Sequence, residues 1–107
     1  MNEEGILVSL GYSVNDATIA QLRGILSKCD FEDNELEKII LLNDKLEKFG
    51  AYVAMSNSSS YFKIKNENSA TDVVKGVREA IFDWSEKYKL AIEKVEGKET
   101  YYITGRI

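Results

Sequence analysis

Lys63 and Lys65 stand two residues apart in the run Tyr61-Phe-Lys-Ile-Lys65, where apolar and basic residues alternate. Aromatic residues with nearby lysines on a strand, here Tyr61, Phe62, Lys63 and Lys65, suit one chemistry, a sheet surface that stacks on a single-stranded nucleic acid. No Gly-aromatic motif of the RNA-binding sheets accompanies them, so Phe62 and Ile64 read as core positions. Just before them, Ser56-Asn-Ser-Ser-Ser60 poses a related question, whether it is a ligand loop or a turn. A phosphate loop needs glycines that let the backbone approach and a following helix whose N–H groups face the anion. This stretch has no glycine and leads into a strand, so a solvated hairpin tip is expected. The helix start Asn68-Ser69-Ala70-Thr71, with Lys63 and Lys65 upstream, is a better anion candidate, although Ser69 is first expected to be a plain helix cap.

Other chemistry is excluded more firmly. The acidic run Asp30-Phe-Glu-Asp-Asn-Glu35 places Glu35 where a calcium loop needs glycine, so the acids are read as helix N-terminal charge. The chain holds one cysteine and no histidine, which removes structural zinc, the Cys–His and Ser–His nucleophile pairs and the commonest general acid–base. Cys29 falls on an apolar helical stripe and reads as a small buried hydrophobe. No catalytic residue, metal ligand or cofactor is assigned, and a non-enzymatic protein is expected. In Thr100-Tyr-Tyr-Ile-Thr104, successive side chains must face opposite sides, so one of Tyr101 and Tyr102 joins the core and the other stays outside. Tyr101, Tyr102, Tyr61, Lys63 and Lys65 are therefore the candidate interaction residues.

These residues need elements to position them. Ile6, Val8 and Leu10 alternate before Gly11, which predicts a first strand over 6–10. Ser13 with Asp16 has capping-box spacing, and Ile19, Leu22, Leu26 and Cys29 predict a helix after it, weakened by Gly24. Asp30 and Asp33 open a second helix with the stripe Leu36, Ile39, Ile40, Leu46 and Phe49, stopped by Gly50. Runs 51–55 and 61–65 predict a hairpin. Ser69 and Asp72 repeat the capping spacing before a third helix along Val73, Val77, Ile81, Trp84 and Tyr88, and runs 90–95 and 100–104 predict a second hairpin around Gly97. Helix then hairpin occurs twice: Glu47-Lys48-Phe49 echoes Glu86-Lys87-Tyr88, and Tyr61-Phe62 echoes Tyr101-Tyr102, at offsets of 39 and 40.

The expected fold is α+β, three helices on one face of a mainly antiparallel sheet in the order β-α-α-β-β-α-β-β. The rival is winged-helix-like, with Leu36 to Phe49 in the recognition position. With 107 residues, no proline, no linker-like stretch and 44% hydrophobic residues, one domain over 1–107 that folds without staples is expected. A lone cysteine and the acidic start Met-Asn-Glu-Glu point to a reducing, cytoplasmic setting, and no apolar run is long enough to span a membrane. Residues 1–50 hold ten acids against five bases, residues 51–107 eight against nine, and the net charge of −4 makes nucleic acid or anionic lipid a poor whole-molecule partner. The expected function is a protein-binding or regulatory module acting through a foreign partner or a homodimer. The alternative is a winged-helix-like nucleic-acid-binding regulator, whose would-be reading helix carries Glu35, Glu37, Asp44 and Glu47 where basic and amide groups are usual.

Overall fold

The chain opens differently from its sequence pattern: in the computed structural model, which describes residues 2–107, Glu3–Ser9 form a helix, α1, and not a strand. Asn2 caps it, its Oδ1 accepting from the Gly5 N–H at 2.7 Å, and Glu3 and Glu4 place negative charge at the positive end of the dipole. Ile6 and Leu7 are buried with Leu10 packed beside them, an i, i+1, i+4 helical face, whereas Val8 is 64% exposed. The apparent alternation arose because Ile6 and Leu10 also lie one helical turn apart. Gly11, at φ +84°, ends α1 in a Schellman arrangement: Tyr12 N–H donates to the Leu7 carbonyl at 2.9 Å and Gly11 N–H to Val8 at 3.0 Å.

Caps of the next helices are also displaced. α2 (Asp16–Cys29) is capped by Asn15, whose Oδ1 accepts from Thr18 N–H at 2.9 Å while Thr18 Oγ1 accepts from Asn15 N–H at 3.1 Å. Ser13 contributes only its carbonyl, which accepts from the Thr18 hydroxyl at 2.7 Å. Asp30 does not open α3 (Asp33–Leu46); it is the left-handed residue, φ 54°, that closes α2, and Glu35 instead accepts from the Glu32 N–H at 2.8 Å. A 3-10 turn, Glu47–Phe49, follows, and left-handed Gly50 leads into β1 (Ala51–Met55) and β2 (Phe62–Asn66). α4 (Thr71–Tyr88) has Ala70, not Ser69, at its cap position, where Asn68 Oδ1 accepts from the Ala70 N–H at 3.0 Å. β3 (Leu90–Lys94) and β4 (Thr100–Arg106) complete the chain.

The described residues thus form an α+β fold, with four α-helices and one antiparallel sheet in the strand order β1-β2-β4-β3. Val53 pairs with Ile64, Ile64 with Tyr101, and Phe62 with Ile103, so each contributes its buried side chain to one face. α2 and α3 pack on β1, α4 packs on β3 and on α3, and the buried residues of all these elements form one cluster. α3 commits Leu36, Ile39, Leu42 and Leu46 to that cluster, and its exposed side keeps the acids Glu37 and Asp44.

The repeated helix-then-hairpin order has a spatial counterpart. The two hairpins meet through β2 and β4, and at the offset of 39 Ala51 and Leu90, Phe62 and Tyr101, and Ile64 and Ile103 are buried pairs and Gly50 and Lys89 are both left-handed. Buried Met55, however, meets exposed Lys94, so the correspondence is partial. At the offset of 40, Phe62 would match Tyr102, which lies on the opposite face, so that echo has no structural equivalent.

Close packing between the two units supplies one stability test. Gly76 lies inside α4, and a methyl at that position would come 2.7 Å from Phe49 Cε1 and 3.0 Å from Cζ. Overpacking of this kind costs about 1–3 kcal/mol, against roughly 1 kcal/mol gained from replacing glycine in a helix. Gly76→Ala is therefore expected to destabilise the native chain but to stabilise a Phe49→Ala background by about 1 kcal/mol. Urea titration of the four variants reads the sign change; a gain in both backgrounds contradicts the contact.

Candidate functional site

Strand alternation builds the site. With Phe62 and Ile64 in the core, Lys63 and Lys65 stand on the other face of β2, directly across from Tyr102 and Thr100 of β4. Tyr52 and Ala54 of β1 flank the lysines, and Glu93 of β3 lies opposite Tyr102. None of these seven residues is buried, and the helices pack on the opposite face, so this side of the sheet is uncovered. Tyr61, just before β2, brings its ring to Tyr102 with centroids 5.3 Å apart and planes tilted by 37°. Lys28, from the last turn of α2, places Nζ 4.0 Å from the Tyr61 ring centroid.

Four of the five candidate residues therefore come together. Tyr101 does not: it is 3% exposed, on the inner face opposite Ile64, and meets Phe82 edge-on at 6.0 Å. The same alternation that leaves Tyr102 outside puts Tyr101 in the core and removes it from any contact surface.

The 56–60 stretch is more than a solvated tip. Ser56 is only 5% exposed, its carbonyl accepting from Gln21 Nε2 at 3.0 Å and its N–H donating to the Tyr61 carbonyl at 3.0 Å. Ser58 N–H donates to Ser56 Oγ at 3.3 Å, and the Ser58 and Tyr102 hydroxyl oxygens are 3.4 Å apart. The loop thus folds over the end of the sheet, anchored on α2 and open at Asn57, Ser58 and Ser60.

Between loop, sheet and second hairpin lies a cavity of about 140 Å³. Lys63, Lys65, Thr100 and Tyr102 form its floor; Lys98, from the β3–β4 turn, and Ser56 and Ser58 form its walls. The Ser58 hydroxyl, then those of Ser56 and Ser59, draw the Tyr102 phenol below the usual tyrosine range, with Lys63 adding to the effect. Lys65 is also 3.6 Å from Glu67, which accepts from the Tyr52 hydroxyl at 3.0 Å. Ser58 belongs to the stretch expected to be only a solvated tip, and Lys28 and Lys98 are site residues that the sequence reading missed. The Lys98 signal was its place in the turn beside the Thr100 strand; nothing local marks Lys28.

Elsewhere the polar groups serve the fold. Arg78 pairs with Glu99 and Arg106 with Glu35, the guanidinium of Arg106 holding the Glu35 carboxyl below its ordinary range. Burial pushes the Cys29 thiol up, away from thiolate reactivity. A larger depression of about 480 Å³ runs along α4 beside Val74, Lys75, Arg78, Glu79 and Phe82, where Arg78 is already paired with Glu99. Among the described residues there is no group of three acidic, cysteine or histidine side chains placed to hold a metal ion, and no helix long and apolar enough to cross a membrane. No known protein family, curated protein or solved structure gives a significant match to the chain.

Proposed function

We propose that the chain is a non-enzymatic binding module that acts through a protein contact made by the uncovered face of its sheet. The observation that carries this reading is the Tyr61–Tyr102 pair set among Lys28, Lys63 and Lys65 on a face that no helix occupies. Tyrosine is enriched at interface centres because its ring contributes large contact area while its hydroxyl keeps a polar partner. Lys28, Lys63, Lys65 and Lys98 outnumber Glu67 and Glu93 here, although the chain as a whole carries −4. Charge complementarity thus favours an acidic protein partner. A two-fold homodimer through this face would set the lysines of one copy against those of the other, which opposes self-association.

Nucleic acid fits less well. A base stacks on a free ring face, and Tyr61 already has Lys28 over its ring and Tyr102 packed beside it. The test is retention from an extract of the source cells on the immobilised chain. Lys63→Glu and Tyr102→Ala are each expected to weaken retention of the same protein at least about tenfold, with Lys87→Glu on the helical side as a control. Folding is checked by circular dichroism. A partner retained equally by both variants overturns the reading.

A further inference from the structure

We infer that the cavity between Lys63, Lys65, Lys98, Ser58, Thr100 and Tyr102 is a binding site for a phosphate group, carried as a monoester or free. The frame is rigid, because β2 and β4 are the central strands and lock the floor by their register: Lys63 opposite Tyr102, Lys65 opposite Thr100. Directly opposed side chains start about 5 Å apart and same-face neighbours along a strand about 7 Å apart, so four polar side chains rise from one small rectangle. Lys98 and Val95 line the cavity from the second hairpin, and Ser56 and Ser58 line it from the loop.

Donor chemistry selects the ligand. Three ammonium groups offer donors and no acceptors, and the hydroxyls of Ser58, Thr100 and Tyr102 can donate to the same guest. A carboxylate brings one charge and two oxygens and would leave part of the lysine cluster uncompensated. A phosphate monoester brings close to two charges and three terminal oxygens, matching the three lysines. Without a guest the like charges repel one another; Glu67 answers only Lys65, at 3.6 Å, while Glu93 sits across the sheet from Tyr102. The Ser58 and Tyr102 hydroxyl oxygens are 3.4 Å apart, so two possible donors meet at one corner of the cavity. At about 140 Å³ the cavity is well below the roughly 300–1,000 Å³ that encloses a drug-sized molecule, so it takes the phosphoryl group alone and leaves the rest of the ligand on the open face.

This inference rests on the proposed contact face, but free phosphate tests it without a partner. The full chain, labelled with nitrogen-15, is titrated with inorganic phosphate at constant ionic strength, then with an acidic peptide carrying one phosphoserine and with its unphosphorylated form. Saturable shifts at the amides of Ser58, Lys63, Thr100 and Tyr102 are expected, weakened at least about tenfold by Lys63→Gln and by Lys98→Gln but not by Lys87→Gln. Tighter binding of the phosphopeptide than of phosphate supports the pocket and names a phosphorylated protein as the source; equal binding supports it with free phosphate as the source. No saturable shift, shifts that persist in both variants, or tighter binding of a single-stranded oligonucleotide lacking terminal phosphate overturns it. If phosphate fails while Lys63→Glu still loses the partner, the contact stands without the pocket. If phosphate binds while Lys63→Glu keeps the partner, the pocket stands without the contact.

Discussion

Trp84→Ala is expected to lower the stability of the chain by about 3–5 kcal/mol, a large share of what a domain of this size holds. Trp84 is 2% exposed and sits in the buried row of α4 with Val77 and Ile81. Its indole N–H donates to the Lys38 carbonyl at 2.8 Å, so one side chain both fills the core and ties α4 to α3. Truncation removes the apolar ring and leaves a cavity that the helices on both sides can only partly close. Trp84→Phe separates the two contributions: it keeps most of the volume and loses the hydrogen bond, for an expected cost nearer 1 kcal/mol. Urea unfolding followed by circular dichroism measures both. A loss under 1 kcal/mol for Trp84→Ala, or ready iodide quenching of Trp84 fluorescence in the native chain, contradicts the packing.

How far such features can be read before a structure exists depends on the distance over which their cause acts. The α4 stripe was legible because its period is local and runs through five turns, and both hairpins were legible because turn residues separate short β-prone runs. α1 was misread because three alternating residues do not distinguish period 2 from one helical turn. Caps were misplaced by one or two residues because Ser13, Asn15 and Asp16, and later Asn68 and Ser69, compete within a few positions; the choice is made by which oxygen reaches an N–H. In the site, alternation was enough to show that one of Tyr101 and Tyr102 faces out. It was not enough to bring Ser58 to Tyr102, 44 residues away, or Lys28 to Tyr61, because those meetings depend on the strand order and on how the 56–60 loop returns over α2. Charge counts likewise found the second half nearly neutral, eight acids against nine bases, without showing that several of its lysines share one face with Lys28.

Removing the side chains that close the first sheet edge is expected to cost nearly as much as losing Trp84. β1 is an edge strand, yet two of its N–H groups that point away from β2 are occupied: Val53 donates to Asn43 Oδ1 at 2.8 Å and Met55 to the Tyr12 hydroxyl at 2.8 Å. The other edge, β3, relies on the exposed charges of Glu93 and Lys94, a usual guard against strand pairing, whereas β1 presents buried, apolar Val53 and Met55 and has no such charges. Asn43→Ala and Tyr12→Phe each strand a buried N–H, at about 1–3 kcal/mol apiece. Because the two bonds share no partner, their costs should nearly add, to roughly 2–6 kcal/mol in the double variant. Tyr12→Phe keeps the ring that packs against the core, so its loss isolates the hydroxyl. Hydrogen exchange at the Val53 and Met55 amides should quicken in the matching single variant and not in the other, and the double variant should elute at a larger size at high concentration as the freed edge pairs with a second copy. Unchanged protection of both amides would mean that the edge is closed by something other than these two side chains.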